Sequence, residues 1–411
     1  MNVTINPTPV SGVIDAIPSK SYAHRYLICA ALASGGSSNI DIGFVSRDIE
    51  ATAQCLSELG ASVRVDGRSY LVAPVNVIRD TPTLHCCESG STLRFLTPVA
   101  AALGGASFVM EGRLKDRPMD ELLDCLSAHG VGFEKRGNIL TVTGKMTGGE
   151  FKIAGNVSSQ YISGILFALP LCGGGRITLT TDLESRPYVT MTIQTMAEFG
   201  VSVVEDASGF SVSSDQRYTP SDANVPGDWS NAAFWLACGV GVKGVSSSCA
   251  QGDKAILDVM KEMGAAVKLN DEVWKTDPRN LCGSEIDAKD IPDLVPIISI
   301  IAARAKGITK IYNASRLRIK ESDRIETTSA MLDSFGIKNE QTGDGLIIYG
   351  SDKPFDSCTI DCANDHRIAM SASIGAIYAS GEVTLVGAEA VNKSYPSFFE
   401  DYCKLGGVIN V

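Results

Sequence analysis

Eight cationic side chains lie in short segments that also carry glycine, serine and acidic residues. They are Lys20, Arg25, Arg94, Arg117, Lys320, Arg324, Arg367 and Lys393. Lysine and arginine bind phosphate and carboxylate groups, and arginine can do so through two parallel hydrogen bonds. Few acids accompany them, notably Asp293 and Glu321. A carboxylate among cations stays ionised, which suits a general base. The pattern predicts a site for more than one phosphate or carboxylate group, with proton transfer at its centre.

The sequence that carries these residues contains six internal repeats. A helix tail that ends in glycine, such as LSELG or LSAHG, recurs at intervals of 70, 70, 64, 72 and 70 residues, at Gly60, Gly130, Gly200, Gly264, Gly336 and Gly406. A second series of apolar stretches ends at Gly35, Gly104, Gly174, Gly244, Gly307 and Gly381. Glycine is common directly after a helix. Each repeat therefore contains two helices with strands between them.

The two helix series differ in their apolar pattern. The second series, such as IISIIAARA at 297–305, is apolar nearly all round, which is typical of a buried helix. The first series, such as RPMDELLDCLSAHG at 117–130, is amphipathic and predicts an outer layer. Six buried helices of about 14 residues, grouped in threes, predict two bundles with sheets outside them. At 411 residues the chain is long for one core, and Pro226-Gly227 is a natural place to divide it. We expect two similar α/β domains that face each other across a cleft.

Cations and helix N-termini recur together. A basic residue precedes each glycine of the first series by 10 to 14 positions, about one helix length: Arg47, Arg117, Arg186, Lys254, Arg324 and Lys393. The buried helices begin near SKS at 19–21, SGST at 89–92, SSQ at 158–160, GDWS at 227–230, IPD at 291–293 and NDHR at 364–367. Helix capping alone explains any single case. Six related N-termini beside cations predict an anion site, although Arg47 and Lys254 are expected to be solvated surface charges.

Composition excludes several classes of protein. Apolar residues make up 44% and charged residues 20% of the chain, as in ordinary globular proteins. A formal net charge of −11 argues against general binding to nucleic acid or anionic membranes. Neither a signal peptide nor a membrane span is expected. We therefore expect a cytoplasmic location. The 12 cysteines form no CxxC pair and the four histidines are scattered, which predicts reduced thiols and no metal site.

Motifs along nearly the whole chain resemble those of the 5-enolpyruvylshikimate-3-phosphate synthase family, whose members join phosphoenolpyruvate to shikimate 3-phosphate. In order they are PSKSYAHR at 18–25, ESGSTLR at 88–94, LKDRPMDEL at 114–122, SSQYISGILFALP at 158–170, ESRPYVTMT at 184–192, IPDL at 291–294, LRIKESDRI at 317–325, NDHRIAM at 364–370 and NKSYPSFF at 392–399. The SGSTLR and LRIKESDR segments are highly specific, and the ordered set is more so. Enolpyruvyl transfer is therefore the expected activity.

The resemblance also implies a fold. It is an inside-out α/β barrel of two similar domains, each with three βαβαββ repeats, buried helices and outer sheets. One domain would comprise residues 13–225, and the other residues 1–12 with 226–411. Hinges are expected near 12–20 and 224–228, with the active site in the cleft between the domains.

Ligand contacts follow from the same resemblance. Shikimate 3-phosphate is expected to contact Lys20, Ser21, Arg25, Ser158, Ser159, Gln160, Ser185, Tyr188, Asp293 and Lys320. Phosphoenolpyruvate is expected to contact Lys20, Gly90, Arg117, Gln160, Arg324, Arg367 and Lys393. No cofactor or metal ion is implied. The chain departs from the family pattern at Phe95, where proline often follows the arginine, and near Arg316, where some members carry asparagine.

The reaction implied is addition followed by elimination. Asp293 takes the proton of the shikimate 5-hydroxyl, and either Glu321 or Lys393 protonates C3 of phosphoenolpyruvate. Lys20 completes the expected catalytic set. Loss of a C3 proton and of phosphate from the tetrahedral intermediate then gives the enol ether. Gly90 leaves room beside the expected phosphoenolpyruvate site, so a compact phosphonate such as glyphosate is expected to compete there. We also expect a monomer that closes on its two small-molecule substrates.

Four other functions agree less well with the sequence. A UDP-N-acetylglucosamine enolpyruvyl transferase should carry asparagine after the first lysine and a reactive cysteine near residue 115, where this chain has Ser21 and Lys115-Asp116. An RNA 3′-phosphate cyclase-like enzyme should have a nucleophilic histidine and a more basic surface. A non-catalytic phosphometabolite-binding repeat protein would leave Asp293 and Glu321 among the cations unexplained. An ATP-dependent kinase is disfavoured because the chain contains no GxxxxGK[ST] motif.

Overall fold

The computed structural model describes residues 1–76 and 81–411. Its α-helices are α1 Lys20–Leu32, α2 Arg47–Glu58, α3 Gly90–Leu103, α4 Asp120–Ser127, α5 Ser159–Ala168, α6 Arg186–Glu198, α7 Trp229–Ala237, α8 Ile256–Glu262, α9 Val295–Ala303, α10 Arg324–Ser334, α11 His366–Ala376 and α12 Phe398–Lys404. Short 3₁₀ helices cover Gly112–Asp116, Leu169–Cys172, Gly252–Ala255, Pro292–Leu294, Ser315–Ile319 and Ala388–Lys393.

Short strands lie between the helices. They are β1 Asn2–Asn6, β2 Val13–Asp15, β3 Ser38–Asp41, β4 Ser62–Asp66, β5 Ser69–Ala73, β6 Thr83–Cys87, β7 Gly105–Met110, β8 Val131–Arg136, β9 Ile139–Gly144, β10 Gly149–Ile153, β11 Gly175–Leu179, β12 Val204–Asp206, β13 Gly209–Val212, β14 Ala223–Asn224, β15 Gly241–Lys243, β16 Ala266–Asn270, β17 Val273–Asp277, β18 Glu285–Asp287, β19 Ile308–Tyr312, β20 Asn339–Gln341, β21 Leu346–Tyr349, β22 Cys358–Asp361, β23 Val383–Val386 and β24 Val408–Asn410.

The described chain divides into two compact units. The discontinuous unit comprises Met1–Ile17 with Pro226–Val411, and the continuous unit comprises Pro18–Val225. The sequence-based boundary at residue 13 differs from this division. Strand β2 belongs to the discontinuous unit because it pairs in parallel with β15, with Val13 opposite Gly241.

Each unit contains three four-stranded sheets among its described residues. Their strand orders are β14-β3-β5-β4, β6-β7-β9-β8 and β10-β11-β13-β12 in the continuous unit, and β16-β17-β15-β2, β18-β19-β21-β20 and β22-β23-β1-β24 in the discontinuous unit. Every sheet joins one parallel pair, such as β10 and β11, to two antiparallel pairs, such as β11 with β13. The repeated pairing is the structural form of the repeat in the sequence.

Burial separates the two helix series as the sequence predicts. All nine residues of α9 are buried, whereas α4 buries only Leu122 and Leu126. Four of the buried helices, α5, α7, α9 and α11, have 9 to 11 residues rather than the expected length of about 14. A 3₁₀ turn containing a proline continues α5, and another precedes α9. Helix α7 ends at Ala237, so Gly239 with φ +84° follows its end and Gly244 does not.

Two further features concern the helices and the cysteines. In the part of the chain that the structure describes, no helix combines the length and the apolar character needed to cross a bilayer. All the cysteines are free thiols, and Cys29 and Cys55 are fully buried. Such thiols pack as small apolar side chains.

Candidate active site

In the continuous unit, Arg25 joins α1 to α6 as a buried cation. Its side chain is 2% exposed. Its Nε donates to Thr192 Oγ1 at 2.9 Å, and its two Nη atoms donate to the carbonyl oxygens of Ser21 at 2.7 Å and Tyr188 at 2.8 Å. No carboxylate of the described residues forms an ion pair with it. Burial lowers the pKa of Arg25 to about 10, which still leaves the guanidinium charged at neutral pH. Its hydrogen-bond partners are uncharged, so they do not compensate this positive charge.

A second group surrounds Gly90 at the start of α3. Arg94 donates from Nη1 to Gln160 Oε1 at 2.9 Å, and Gln160 Nε2 donates to Ser91 Oγ at 2.9 Å. A Cβ added to Gly90 would lie 2.6 Å from Arg117 Nη1 and 2.8 Å from Arg94 Nη1. Two guanidinium groups therefore lie against the backbone of Gly90, where only glycine leaves room for them. Converging guanidinium groups beside a helix N-terminus form an anion-binding arrangement.

The remaining polar residues of this unit begin helices. Lys20 is the first residue of α1, and its Nζ donates to Asp48 Oδ2 at 2.8 Å. Ser158 caps α5 through a bond from the Gln160 backbone N–H at 3.3 Å, and Ser159 follows it in the first turn, 8% exposed. Ser185 precedes α6 with φ +52°, a left-handed conformation that is uncommon for serine. Such strain occurs often at binding sites.

In the discontinuous unit, the guanidinium of Arg324 holds three carboxylates. Its Nε donates to Asp365 Oδ2 at 2.7 Å and its Nη1 to Asp293 Oδ1 at 2.9 Å. Its Nη2 donates to Glu321 Oε2 at 2.7 Å and to Asp365 Oδ1 at 3.2 Å. Arg324 is 1% exposed, and four of its five N–H groups bind these acids. We call Arg324, Asp293, Glu321, Asp365 and Arg367 the Arg324 cluster.

Asp293 forms ion pairs with three cations, Arg324, Arg367 and Lys320. Arg367 donates to its Oδ2 at 2.8 Å and to its backbone carbonyl at 3.2 Å, while Lys320 Nζ lies 3.7 Å from Oδ1. Burial acts to raise the pKa of Asp293, but the charges of Arg367, Lys320 and Arg324 outweigh it and hold the pKa well below its ordinary value. In this arrangement Asp293 is firmly ionised and is a weak base.

Lys393 and the turn before α11 lie beside this cluster in the chain fold. Lys393 ends the 3₁₀ segment Ala388–Lys393 and donates from Nζ to the Asn364 carbonyl at 2.7 Å. Asn364 adopts φ +52°, and the next residue, Asp365, caps α11 by accepting from the Arg367 backbone N–H at 3.0 Å. One turn therefore presents a carbonyl to Lys393 and a carboxylate to Arg324.

A further buried acid, Asp253, lies close to Asp293. It is 1% exposed, Ser230 Oγ donates to its Oδ2, and its Oδ1 is buried without a hydrogen-bond partner among the described residues. Burial, and then the charge of Asp293, raises the pKa of Asp253 to about 7, against opposing effects of Arg367 and Ser230. Asp253 is therefore half protonated near neutral pH, unlike Asp293.

Comparison with known proteins identifies the family of the chain. The family model described as "EPSP synthase (3-phosphoshikimate 1-carboxyvinyltransferase)" matches residues 5–402. The chain belongs to the EPSP synthase family. A protein of Clostridium kluyveri named 3-phosphoshikimate 1-carboxyvinyltransferase is 39% identical, over 99% of this chain and 98% of its own. A protein of the same name from Clostridium novyi is also 39% identical, over 100% of this chain and 98% of its own.

Solved structures of two other proteins share the fold. EPSP synthase from Acinetobacter baumannii superposes with a TM-score of 0.82 at 24% identity, and the match covers all of both chains. The enolpyruvyl transferase NikO from Streptomyces tendae gives a TM-score of 0.79 at 17% identity, over 100% of this chain and 98% of that one. The predicted α/β fold with buried helices and outer sheets is confirmed.

The residues expected from the family resemblance divide between the units. The continuous unit holds Lys20, Ser21, Arg25, Gly90, Arg117, Ser158, Ser159, Gln160, Ser185 and Tyr188, and the discontinuous unit holds Asp293, Lys320, Glu321, Arg324, Arg367 and Lys393. Within their units the structure brings together Gly90 with Arg117, and Asp293 with Arg324 and Arg367. The two departures are accommodated locally: Phe95 is buried inside α3, and Arg316 donates to the Lys289 carbonyl at 2.7 Å.

Some sequence-based interpretations need correction. Lys254, expected as a solvated charge, is half-buried and donates to the Cys249 carbonyl at 2.9 Å, whereas Arg47 is exposed. The sequence does not identify Asp253 or Asp365 as members of the site, although Asp365 lies inside the NDHR segment. An aspartate before a helix reads as a cap, and its second role became visible only through Arg324, 41 residues away. Nothing in the sequence near Asp253 signals its burial beside Asp293.

The raised pKa of Asp253 predicts a pH dependence of stability. The folded carboxyl titrates near pH 7, and the unfolded one near pH 4, so the unfolded state loses its proton first as the pH rises. The free energy of unfolding should therefore fall between about pH 4 and pH 7, by on the order of 1–4 kcal/mol. The Asp253→Asn side chain cannot titrate. As the pH rises from about 4 to 7, the free energy of unfolding of this variant in urea should therefore increase relative to that of wild type. The exposed Asp352→Asn variant serves as control. A constant difference between Asp253→Asn and wild type from pH 4.5 to 8 would contradict the assignment.

Proposed function

We propose that this chain transfers the carboxyvinyl group of phosphoenolpyruvate to the 5-hydroxyl of shikimate 3-phosphate and releases phosphate. The observation that carries the proposal is membership of the EPSP synthase family over residues 5–402, with relatives of the same length that are named for this activity. The ligand chemistry agrees, because both substrates are anions and the candidate residues are mainly cations and helix N-termini.

Shikimate 3-phosphate is assigned to the residues around Arg25. A buried cation without a carboxylate partner is stabilised by a bound anion, and the substrate phosphate supplies one. The phosphate and the ring hydroxyls are bound by further residues of the same unit: Lys20, Ser21, Ser158, Ser159, Gln160, Ser185 and Tyr188. Asp293 and Lys320 of the discontinuous unit complete this set.

Phosphoenolpyruvate is assigned to the residues around Gly90 together with cations of the other unit. Arg117, Gln160, Lys20 and the backbone of Gly90 bind its phosphate and carboxylate from the continuous unit. Arg324, Arg367 and Lys393 bind it from the discontinuous unit. Residues of both units must therefore meet the same two substrates, so we place the reaction in an interdomain cleft between hinges near residues 12–20 and 224–228.

Proton transfer begins at Asp293. It accepts the proton of the 5-hydroxyl while that oxygen attacks C2 of phosphoenolpyruvate, and Glu321 or Lys393 delivers a proton to C3. The tetrahedral intermediate then loses a C3 proton and phosphate, whose leaving charge the lysines and arginines stabilise. An incoming anion that draws Arg367 and Arg324 away from Asp293 raises the pKa of its carboxyl, which makes it a stronger base. These steps call for no metal ion or organic cofactor.

The enzyme is proposed to work as a monomer in the cytoplasm, on small molecules alone. A net charge of −11 disfavours nucleic acid as a partner. Free, buried thiols such as Cys29 suit a reducing compartment.

The proposed activity is tested by phosphate release from phosphoenolpyruvate. Release should require shikimate 3-phosphate and proceed without added nucleotide or metal ion, and mass spectrometry should detect the carboxyvinyl product. UDP-N-acetylglucosamine in place of shikimate 3-phosphate is the control acceptor. Release with that acceptor alone would favour the related transferase, and binding without release would favour a non-catalytic protein.

Asp293→Asn tests the general base. Turnover should fall about 10²–10⁴-fold, the usual contribution of a positioned base. The KM for shikimate 3-phosphate should change little, and that for phosphoenolpyruvate should not rise, since Arg324 and Arg367 each lose one carboxylate partner. The exposed Asp352→Asn variant is the matched control in steady-state assays. Turnover within threefold of wild type for Asp293→Asn would remove Asp293 from this role.

Gly90→Ala tests the phosphoenolpyruvate assignment. Its methyl group would meet Arg117 Nη1 and Arg94 Nη1 at 2.6 and 2.8 Å, so both guanidinium groups must move. The KM for phosphoenolpyruvate should rise about tenfold, and inhibition by the compact phosphonate glyphosate should weaken by a larger factor. Gly343→Ala, where an added Cβ meets nothing within 4 Å, is the control. Unchanged KM and inhibition in Gly90→Ala would argue against a ligand at this position.

A further inference from the structure

Four buried polar side chains of the continuous unit form an unbroken series of hydrogen bonds. His24 Nδ1 lies 2.7 Å from Thr52 Oγ1, Thr52 Oγ1 lies 2.7 Å from Thr92 Oγ1, and the Thr92 hydroxyl donates to Ser89 Oγ at 2.7 Å. All four side chains are fully shielded from solvent, at 0% exposure. We call this series the His24–Ser89 chain. None of its members belongs to the ligand sets assigned above.

The bond directions fix the protonation of His24. The Thr92 hydroxyl donates to Ser89, so it can only accept from Thr52. The Thr52 hydroxyl then donates to Thr92 and must accept from His24, which requires a proton on Nδ1. Nε2 is buried without a partner among the described residues, so it carries a lone pair rather than a proton. Burial, and then the charges of Lys20 and Arg25, hold the pKa of His24 well below 6.5, which keeps the ring neutral.

The His24–Ser89 chain connects three helices where the ligand residues lie. His24 is one turn after Lys20 on α1, and Thr52 is one turn after Asp48 on α2, so two parallel bonds join these helices. At the other end, Ser89 caps α3 by accepting from the Thr92 backbone N–H, directly before Gly90. The chain therefore runs from the helix of Lys20 to the N-terminus at Gly90.

We propose that the His24–Ser89 chain is a positioning device for phosphoenolpyruvate, which holds the first turns of α1 and α3 so that Lys20 and the backbone at Gly90 meet the same anion. This inference rests on the proposed function. His24, Thr52, Thr92 and Ser89 are positioning residues, since they act through Lys20 and Gly90 and not on the substrate. Directional bonds hold neighbouring helices in a fixed register, and misplacement by about 1 Å can cost 10²-fold in rate.

The effect should be larger for phosphoenolpyruvate, because the His24–Ser89 chain supports both Lys20 and Gly90, and of these two only Lys20 is also assigned to shikimate 3-phosphate. The residues assigned to shikimate 3-phosphate are supported by a different polar link, in which Arg25 Nε donates to Thr192 at 2.9 Å and Thr192 donates to Ser163 at 2.8 Å. That link joins α1, α6 and α5 and shares no side chain with the His24–Ser89 chain. If the His24–Ser89 chain had a purely structural role, its loss would change the KM values for both substrates alike or would change neither.

Thr52→Val removes a hydroxyl from the middle of the His24–Ser89 chain and keeps the volume of the side chain nearly constant. We expect the KM for phosphoenolpyruvate to rise about tenfold and that for shikimate 3-phosphate to change less than twofold, while Thr52→Ser restores wild-type values. The control is Thr97→Val, which removes an equally buried hydroxyl of α3 that donates only to the Leu93 carbonyl at 2.7 Å. Equal effects of Thr52→Val and Thr97→Val, or a parallel rise of both KM values, would overturn the proposal.

A second measurement reads the protonation of His24 in the wild-type protein and needs no activity. The chain contains four histidines, so ¹⁵N-histidine labelling of the wild-type protein gives four imidazole spin systems, and His24→Asn identifies that of His24 by its loss. We expect a neutral ring with the proton on Nδ1 from pH 6 to 8. A neutral ring with its proton on Nε2 would leave Nδ1 unable to donate to Thr52, which would break the series of donors and overturn the proposal even if Thr52→Val does not fold. Absence of phosphate release in wild type would defeat the proposed function while leaving this result intact.

Discussion

The discontinuous unit depends on one buried guanidinium. Arg324 is almost fully shielded from water and binds Asp293, Glu321 and Asp365 at once. Burial alone would lower the pKa of Arg324, but the three carboxylates outweigh it and raise the pKa above the ordinary value. Removing such a cation would leave three acids facing each other in a low dielectric, which is far more costly than losing one ion pair. The positions of the proposed base and of one proposed proton donor are therefore set by the same side chain.

The continuous unit holds its charge differently. Arg25 donates to a hydroxyl and two carbonyl oxygens, and these neutral groups orient it without cancelling its charge. Gly90 lies between two further guanidinium groups because it has no side chain to displace them. This unit thus presents cations to an anionic ligand, whereas the Arg324 cluster is already balanced by its own acids. The two substrates proposed above are rich in negative charge, and they would complement the first arrangement directly and compete for cations in the second.

The sequence predicts the fold better than it predicts the site. The glycine series and the alternation of apolar and amphipathic helices are local patterns, so the six repeats follow from them. The site depends on contacts between distant segments, and charge alone does not reveal which acid meets which cation. Arg324 could be assigned to an anion from its motif, yet four of its donors already bind carboxylates. Asp253 precedes Asp293 by 40 residues, and only the folded chain shows that the charge of Asp293 raises the pKa of Asp253.

The low pKa of Asp293 sets a condition on any mechanism that uses it as a base. A carboxylate held by Arg324, Arg367 and Lys320 is a poor proton acceptor, because accepting a proton would weaken three favourable charge interactions. It gains basicity only when those cations acquire another anionic partner. Phosphoenolpyruvate carries a phosphate and a carboxylate, and both bind arginine well. Binding of this substrate would therefore activate the base for the hydroxyl of the other substrate, so that proton abstraction does not begin before both are present.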